Sequence, residues 1–150
     1  MASPSGEMGD YMTIKQLSIF IENKNGTLIR VLNTLSEANI QIIASTLADT
    51  KDYGIYRVLC DNPTQAYILL KDAGVNVQLS DVIAISIDDT PGCAAKAISK
   101  ISGADVNILY LYSFLWHGRG VLVFRTDNND RAKEVIMLSK LTFLTEMDFR

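Results

Sequence analysis

Two short stretches carry the residue types that could do chemistry. "ENKNG" covers residues 22–26 and "DDTPG" covers 88–92. Each ends an alternating apolar run, and each closes on a glycine, Gly26 or Gly92, that opens a helical pattern. Such a corner can capture a small anion. The first N–H groups of a helix lack intrahelical partners and sit at the positive end of its dipole. Glycine lets a ligand approach the backbone closely. The same corner can also be a plain strand-to-helix turn. Asn23 and Asp89 stand three residues before the two glycines. An Asn can donate to a carboxylate and accept from an ammonium. Asp89 would pair with an ammonium and repel a carboxylate, so it is expected to face an amine end or to cap the helix. Asn25 occupies in the first copy the place of Pro91 in the second. Thr27 and Leu28 follow Gly26, and Cys93 follows Gly92 at a helix start that would stabilise a thiolate.

Other chemistries find little support. The single histidine, His117, lies in "LWHGRG", which reads as a surface hairpin tip with Trp116 beside it. No nucleophile is marked for it, and there is neither a GxxxxGK[ST] loop nor a GxGxxG. The reading is therefore of a non-enzyme with no cofactor. Cys60 and Cys93 make no disulfide framework, and no CxxC or HxxxH spacing offers a metal site. The net charge is −3 and the pI about 5.1, which argues against a phosphate-tracking surface and hence against nucleic acid. Tyr110, Tyr112 and Phe114 in "LYLYSF" share a strand face; they read as core or interface, with base stacking as the sharper alternative. No apolar run reaches the roughly 18 residues of a membrane span. The start, "MASPSGEMGDYM", has no secretory pattern, which leaves a cytoplasmic reading, and residues 1–12 read as a flexible tail.

The elements that must position the corners come in duplicate. A shift of about 66 positions aligns the halves from Leu17 to about Ala66 without a gap. Ile19 and Ile21 fall on Ile85 and Ile87, Gly54 on Gly120, and Asp61-Asn62 on Asp127-Asn128. Ile14 to Ile21 alternates like a half-buried strand, as do Ile83, Ile85 and Ile87. Leu28, Val31, Leu32 and Leu35 mark one face of a helix, matched by Ala94, Ala97, Ile98 and Ile101. Thr90-Pro91 reads as N-cap and N1 of that second helix. Strands are expected over 40–47, 54–60, 106–115 and 120–125, with short last strands over 75–79 and 141–144. Asn62 and Asn128 would open the remaining helices. The fold class is α+β: two ferredoxin-like βαββαβ units over 13–80 and 81–150, with antiparallel sheets, helices on one face, and the units packed side by side.

These residues resemble the ACT domain, twice over. The resemblance rests on the strand ending in "ENKNG" or "DDTPG", the glycine-started helix, and the "ANIQI" or "ADVNI" leading into the next strand. The tandem is similar to the small stand-alone double-ACT proteins of bacteria. That resemblance implies an amino acid or related metabolite bound at an ACT–ACT interface, between the first loop of one unit and the second-strand start of its neighbour. It also implies regulation of a partner in amino-acid metabolism, such as a metabolic enzyme. The family's polar residue at the second-strand start falls on Gln41 and Asn107. Asp89 and Gln41 depart from the family's usual Asn, so the corners are expected to be unequal. A structural or dimerisation module with vestigial corners is the alternative. Unpaired sheet edges and the aromatic strand point to a homodimer.

Overall fold

The strand and helix boundaries follow from where the backbone can turn left-handed. In the computed structural model, residues 12–22, 26–49 and 52–149 are described. They form β1 (Ile14–Glu22), α1 (Thr27–Glu37), β2 (Ile42–Asp49), β3 (Tyr53–Cys60), α2 (Pro63–Asp72) and β4 (Asn76–Ile87). These are followed by α3 (Cys93–Ser102), β5 (Ile108–Trp116), β6 (Arg119–Thr126), α4 (Asn129–Leu138), β7 (Thr142–Phe143) and a 3₁₀ turn (Glu146–Phe149). After each helix one residue takes positive φ: Asn39 (57°), Gly74 (81°), Asp105 (63°) and Lys140 (58°). At three of these ends the next N–H reaches back five residues: Ile40 to Leu35 O, Val75 to Leu70 O and Leu141 to Ile136 O. This Schellman closure satisfies carbonyls that the helix leaves open. The left-handed residues Asn39 and Asp105 precede β2 and β5, which start two residues later than the strands expected from position 40 and position 106.

The chain separates into two compact units, chiefly Lys15–Ser80 and Asp81–Asp148. In the first, the strand order is β2-β3-β1-β4, with β1 antiparallel to β3 (Leu17 opposite Val58, Glu22 opposite Tyr53) and β2 antiparallel to β3. In the second it is β5-β6-β4-β7, with β4, β6 and β5 antiparallel in turn. Each is therefore a βαββαβ ferredoxin-like unit. The strands expected over 75–79 and from Ile83 are one unbroken element, β4. Each unit has its own core. Leu17, Ile19, Val31, Leu35, Val58, Ala66 and Leu70 fill the first. Ile83, Ile85, Ala97, Ile101, Leu122, Phe124, Ala132 and Ile136 fill the second. Val31, Leu35, Ala97 and Ile101 are the buried residues of α1 and α3, so the 3.6-residue period named the inward face in both copies.

Two expectations need correction, and a third lies almost wholly outside the described residues. The tail read over 1–12 lies outside the described residues except Met12, which is buried. Gly92, not Thr90, is the N-cap of α3, because its left-handed φ of 88° starts the helix at Cys93 and leaves Thr90-Pro91 in the turn before it. The last strand is only Thr142–Phe143, although Leu144 N–H still donates to Ala84 O at 2.8 Å. Asp148 then accepts from Thr145 N–H at 2.6 Å and closes the 3₁₀ turn, which ends the pairing. His117 and Gly118, at φ 51° and 76°, form the two-residue turn between β5 and β6 expected of a hairpin tip. Tyr110, Tyr112 and Phe114 are half-buried and lie opposite Arg125, Val123 and Val121 of β6.

Candidate ligand-binding site

At the first corner, β1 ends at Glu22 and α1 begins after Gly26. Asn23 and Asn25, both expected at the site, lie outside the described residues. Gly26 is the N-cap with φ 90°, and no side chain caps α1. Its first turn holds no acid, so its leading N–H groups keep their electropositive character. Thr27 is half-buried beside the glycine. Leu28 packs against the core, which leaves its backbone as its only polar offering to a ligand. These residues edge an open cleft of about 820 Å³. Gly26, Thr27 and Arg30 supply the helix side, Phe20 and Glu22 the end of β1, Asp52 and Tyr53 the start of β3, and Gly74, Val75 and Asn76 the turn from α2 into β4. All lie within the first unit. The Phe20 and Tyr53 rings stand 5.8 Å apart at 59°, a tilted aromatic pair.

The second corner repeats the backbone but not the space. Gly92 has φ 88° and α3 likewise has no side-chain cap. Cys93 N–H donates to Thr90 O at 3.3 Å, and the Cys93 Sγ and Thr90 Oγ1 atoms are 2.9 Å apart. Cys93 is a half-buried free thiol. Pro91 and Asp89 are exposed. Asp89 makes no hydrogen bond among the described residues, so it does not cap the helix. The cleft here is about 270 Å³ and is lined by Asp89, Thr90 and Gly92 with Ala94, Phe114 and Leu115. Ligand clefts run from roughly 300 to 1,000 Å³, so only the first corner has the room of a complete site.

Gln41 and Asn107 occupy a different place. Gln41 N–H donates to Asp61 Oδ1 at 3.0 Å, and Asp61 N–H returns a bond to Gln41 O at 3.1 Å. Asn107 and Asp127 repeat both bonds at 3.0 Å, and Asn107 Nδ2 adds a third to Asp127 Oδ2 at 3.1 Å. These pairs clasp the start of β2 to the end of β3, and of β5 to the end of β6. Within a unit they stand at the far end of the first helix from the glycine. For α1 that is about 16 Å at 1.5 Å per residue. Gly26 and Gln41 therefore stand at opposite ends of α1.

Sequence reasoning missed Phe20, Arg30, Asp52, Tyr53 and Asn76. Arg30 reads as an ordinary solvated helix position, and Asp52-Tyr53 as part of a hairpin turn. Only the topology brings them to one end of the unit. The 66-residue shift would have flagged them by contrast, because Ser86, Lys96, Gly118, Arg119 and Thr142 stand at the matching places. In the second unit Arg119 Nε donates to Ser86 Oγ at 2.8 Å and Nη1 meets Asp88 Oδ1 at 2.6 Å. The aromatic pair of the first copy is thus replaced by an internal ion pair. Trp116 and His117 lie beside it, with Trp116 Nε1 donating to Asp148 O at 3.1 Å.

Among the described residues, no group of three or more His, Cys, Asp or Glu could hold a metal ion, and no helix is long and apolar enough to cross a membrane. No curated protein matches the chain. Among solved structures, the protein BT0572 of Bacteroides thetaiotaomicron is 38% identical, with a TM-score of 0.88 over 93% of this chain and 97% of that one. The regulatory subunits of aspartate kinase from Thermus thermophilus and Thermus flavus share the fold. The first has a TM-score of 0.57, 14% identity and coverage of 83% of this chain and 90% of that one. The second has a TM-score of 0.55, 16% identity and coverage of 87% and 94%. The family model of the ACT domain pair matches residues 12–150. With two ferredoxin-like units, a left-handed glycine at each first-helix start, and that match across both, the chain belongs to the ACT domain pair family.

Proposed function

We propose that this protein is a non-catalytic regulator that binds an amino acid or related small metabolite and passes that binding to a partner in amino-acid metabolism. The observation that carries the reading is the cleft of about 820 Å³ at the Gly26 corner, with uncapped helix N–H groups and charges of both signs on its walls. ACT domains as a class are regulatory rather than catalytic and generally bind amino acids. A ligand regulates only through its differential affinity for two states, so binding must favour one arrangement over another. Gly26, Thr27 and the backbone of Leu28 are the proposed carboxylate side in the first unit, and Gly92 and Cys93 their counterparts. A thermal-shift screen of the free amino acids tests the reading. Bound ligand must raise the melting temperature by mass action, so a flat screen at millimolar ligand would reject it.

A second reading has its own support. Asn107 is tied to Asp127 by both backbone and side chain, Gln41 donates its side chain to Ile42 O, and the second corner is small. On that reading the corners are vestigial and the pair serves to dimerise. The exposed leucines of β5, Leu109, Leu111 and Leu115, support self-association under either reading. Gly26→Val and Arg30→Gln, at the larger cleft, separate the two. If both leave partner binding and every metabolite response intact, the structural reading prevails.

A further inference from the structure

We infer that the first-unit cleft is selective for a free α-amino acid whose side chain carries a ring or a large branched apolar group, and that the second unit has lost this site. The inference rests on the amino-acid-binding reading above and gives it a ligand class and residues. The cleft has three parts. Arg30 offers a guanidinium that makes no side-chain hydrogen bond or ion pair among the described residues, beside the uncapped start of α1. A guanidinium takes a carboxylate in two parallel bonds, and the helix start favours the same charge. Asp52, whose carboxylate is likewise unpartnered among the described residues, lies with Glu22 on the same cleft and offers the ammonium its counter-charge. The Phe20–Tyr53 pair supplies an apolar and aromatic wall, against which a ring or branched chain can bury its surface. A cation, two anions and an aromatic wall on one cleft match the three ends of such an amino acid. A plain carboxylic acid or a plain amine uses only part of the set.

The second copy supplies the contrast. The places of Phe20, Glu22 and Tyr53 are held by Ser86, Asp88 and Arg119, which bind one another. Gly118 stands in the place of Asp52, Asp88 in the place of Glu22 is neutralised by Arg119, and the apolar wall is gone. The space lined by Ser86 and Arg119 is about 230 Å³, too small for a ligand of this class.

The test is calorimetric titration of the full chain with each of the protein amino acids, alongside the decarboxylated amine and the 2-oxo acid of the best binder. Ring-bearing or branched amino acids are expected to bind, with one site per chain. Removing either charged group from the ligand should weaken binding about tenfold or more. Arg30→Gln should do the same, and Tyr53→Arg with Phe20→Ser, which rebuilds the second copy's pair, should abolish binding. Arg30 is exposed, so the melting temperature without ligand should not move for Arg30→Gln, which separates lost binding from lost fold. If small or charged amino acids bind instead, or if these variants bind normally, the inference falls while the amino-acid reading stands. If no amino acid binds, both fall.

Discussion

At the residue scale, the glycines divide by what a side chain would meet. A Cβ on Gly26 or Gly92 meets nothing within 4 Å, but both residues sit at φ near 90°. The penalty for substitution there is backbone strain alone, about 1–2 kcal/mol for Ala. Gly120 is the opposite case: a Cβ would stand 3.0 Å from Ile87 Cγ1 with no unusual φ. Urea unfolding should therefore show Gly92→Asn milder than Gly92→Ala, since Asn tolerates left-handed backbone. At Gly120 the larger residue should be the worse one. Equal losses for Asn and Ala at Gly92 would contradict this account. The clasps give a second comparison. Among the described residues, Asp127 accepts two bonds from Asn107, whereas Asp61 accepts one, from the Gln41 N–H. Asp127→Ala should cost more than Asp61→Ala, each on the order of 1 kcal/mol because these bonds are exposed. This is also where sequence reading was weakest. The N–H groups of Gln41 and Asn107 bond to carboxylates 20 positions on, and neither composition nor periodicity pairs residues at that distance.

At the element scale, the helices fall into two kinds, and both copies agree. α2 and α4 are opened by Asn62 and Asn128, whose side chains accept from Gln65 N–H at 3.4 Å and Arg131 N–H at 3.1 Å. α1 and α3 are opened by left-handed glycines and carry no side-chain cap. The capped helices were legible from Asn-Pro and Asn-Asn, and the uncapped ones from Gly, because each residue type has a local reason to stand there. What was not legible was the extent of the strands, since Asn39 and Asp105 are ordinary residues held left-handed by the helix ends they close. Asn62→Ala and Asn128→Ala should each destabilise by about 1 kcal/mol. The shorter bond at Asn128, set in a network where Asn129 Oδ1 accepts from Thr126 N–H at 3.0 Å, should make its loss the larger. Chemical denaturation of the two variants checks the order. A larger loss at Asn62 would mean that Pro63 at N1 makes the cap there more important than its geometry suggests.

At the scale of the whole molecule, duplication has preserved a scaffold while its surfaces diverged. Among the described residues, the cores and the helix N-caps match copy for copy; the cleft with its aromatic pair and the internal Arg119–Asp88 bridge do not. The same divergence appears at the outer strands. β5 stands at the end of the strand order among the described residues. It also exposes Leu109 at 58%, Leu111 at 37% and Leu115 at 63%, while the matching strand β2 exposes Leu47 at 53%. A strand that exposes leucines and carries no charge of its own has little to oppose association through that face. The protein is therefore expected to self-associate through the exposed leucines of β5. Sedimentation at micromolar concentration should give a dimer, and Leu109→Lys with Leu115→Lys should give a monomer of unchanged circular dichroism. Both side chains are more than half exposed, so their replacement leaves the core intact, and a change of mass without a change of fold isolates that face. A wild-type monomer, or a dimer indifferent to both lysines, would leave the exposed leucines without a partner and place any self-association elsewhere on the chain.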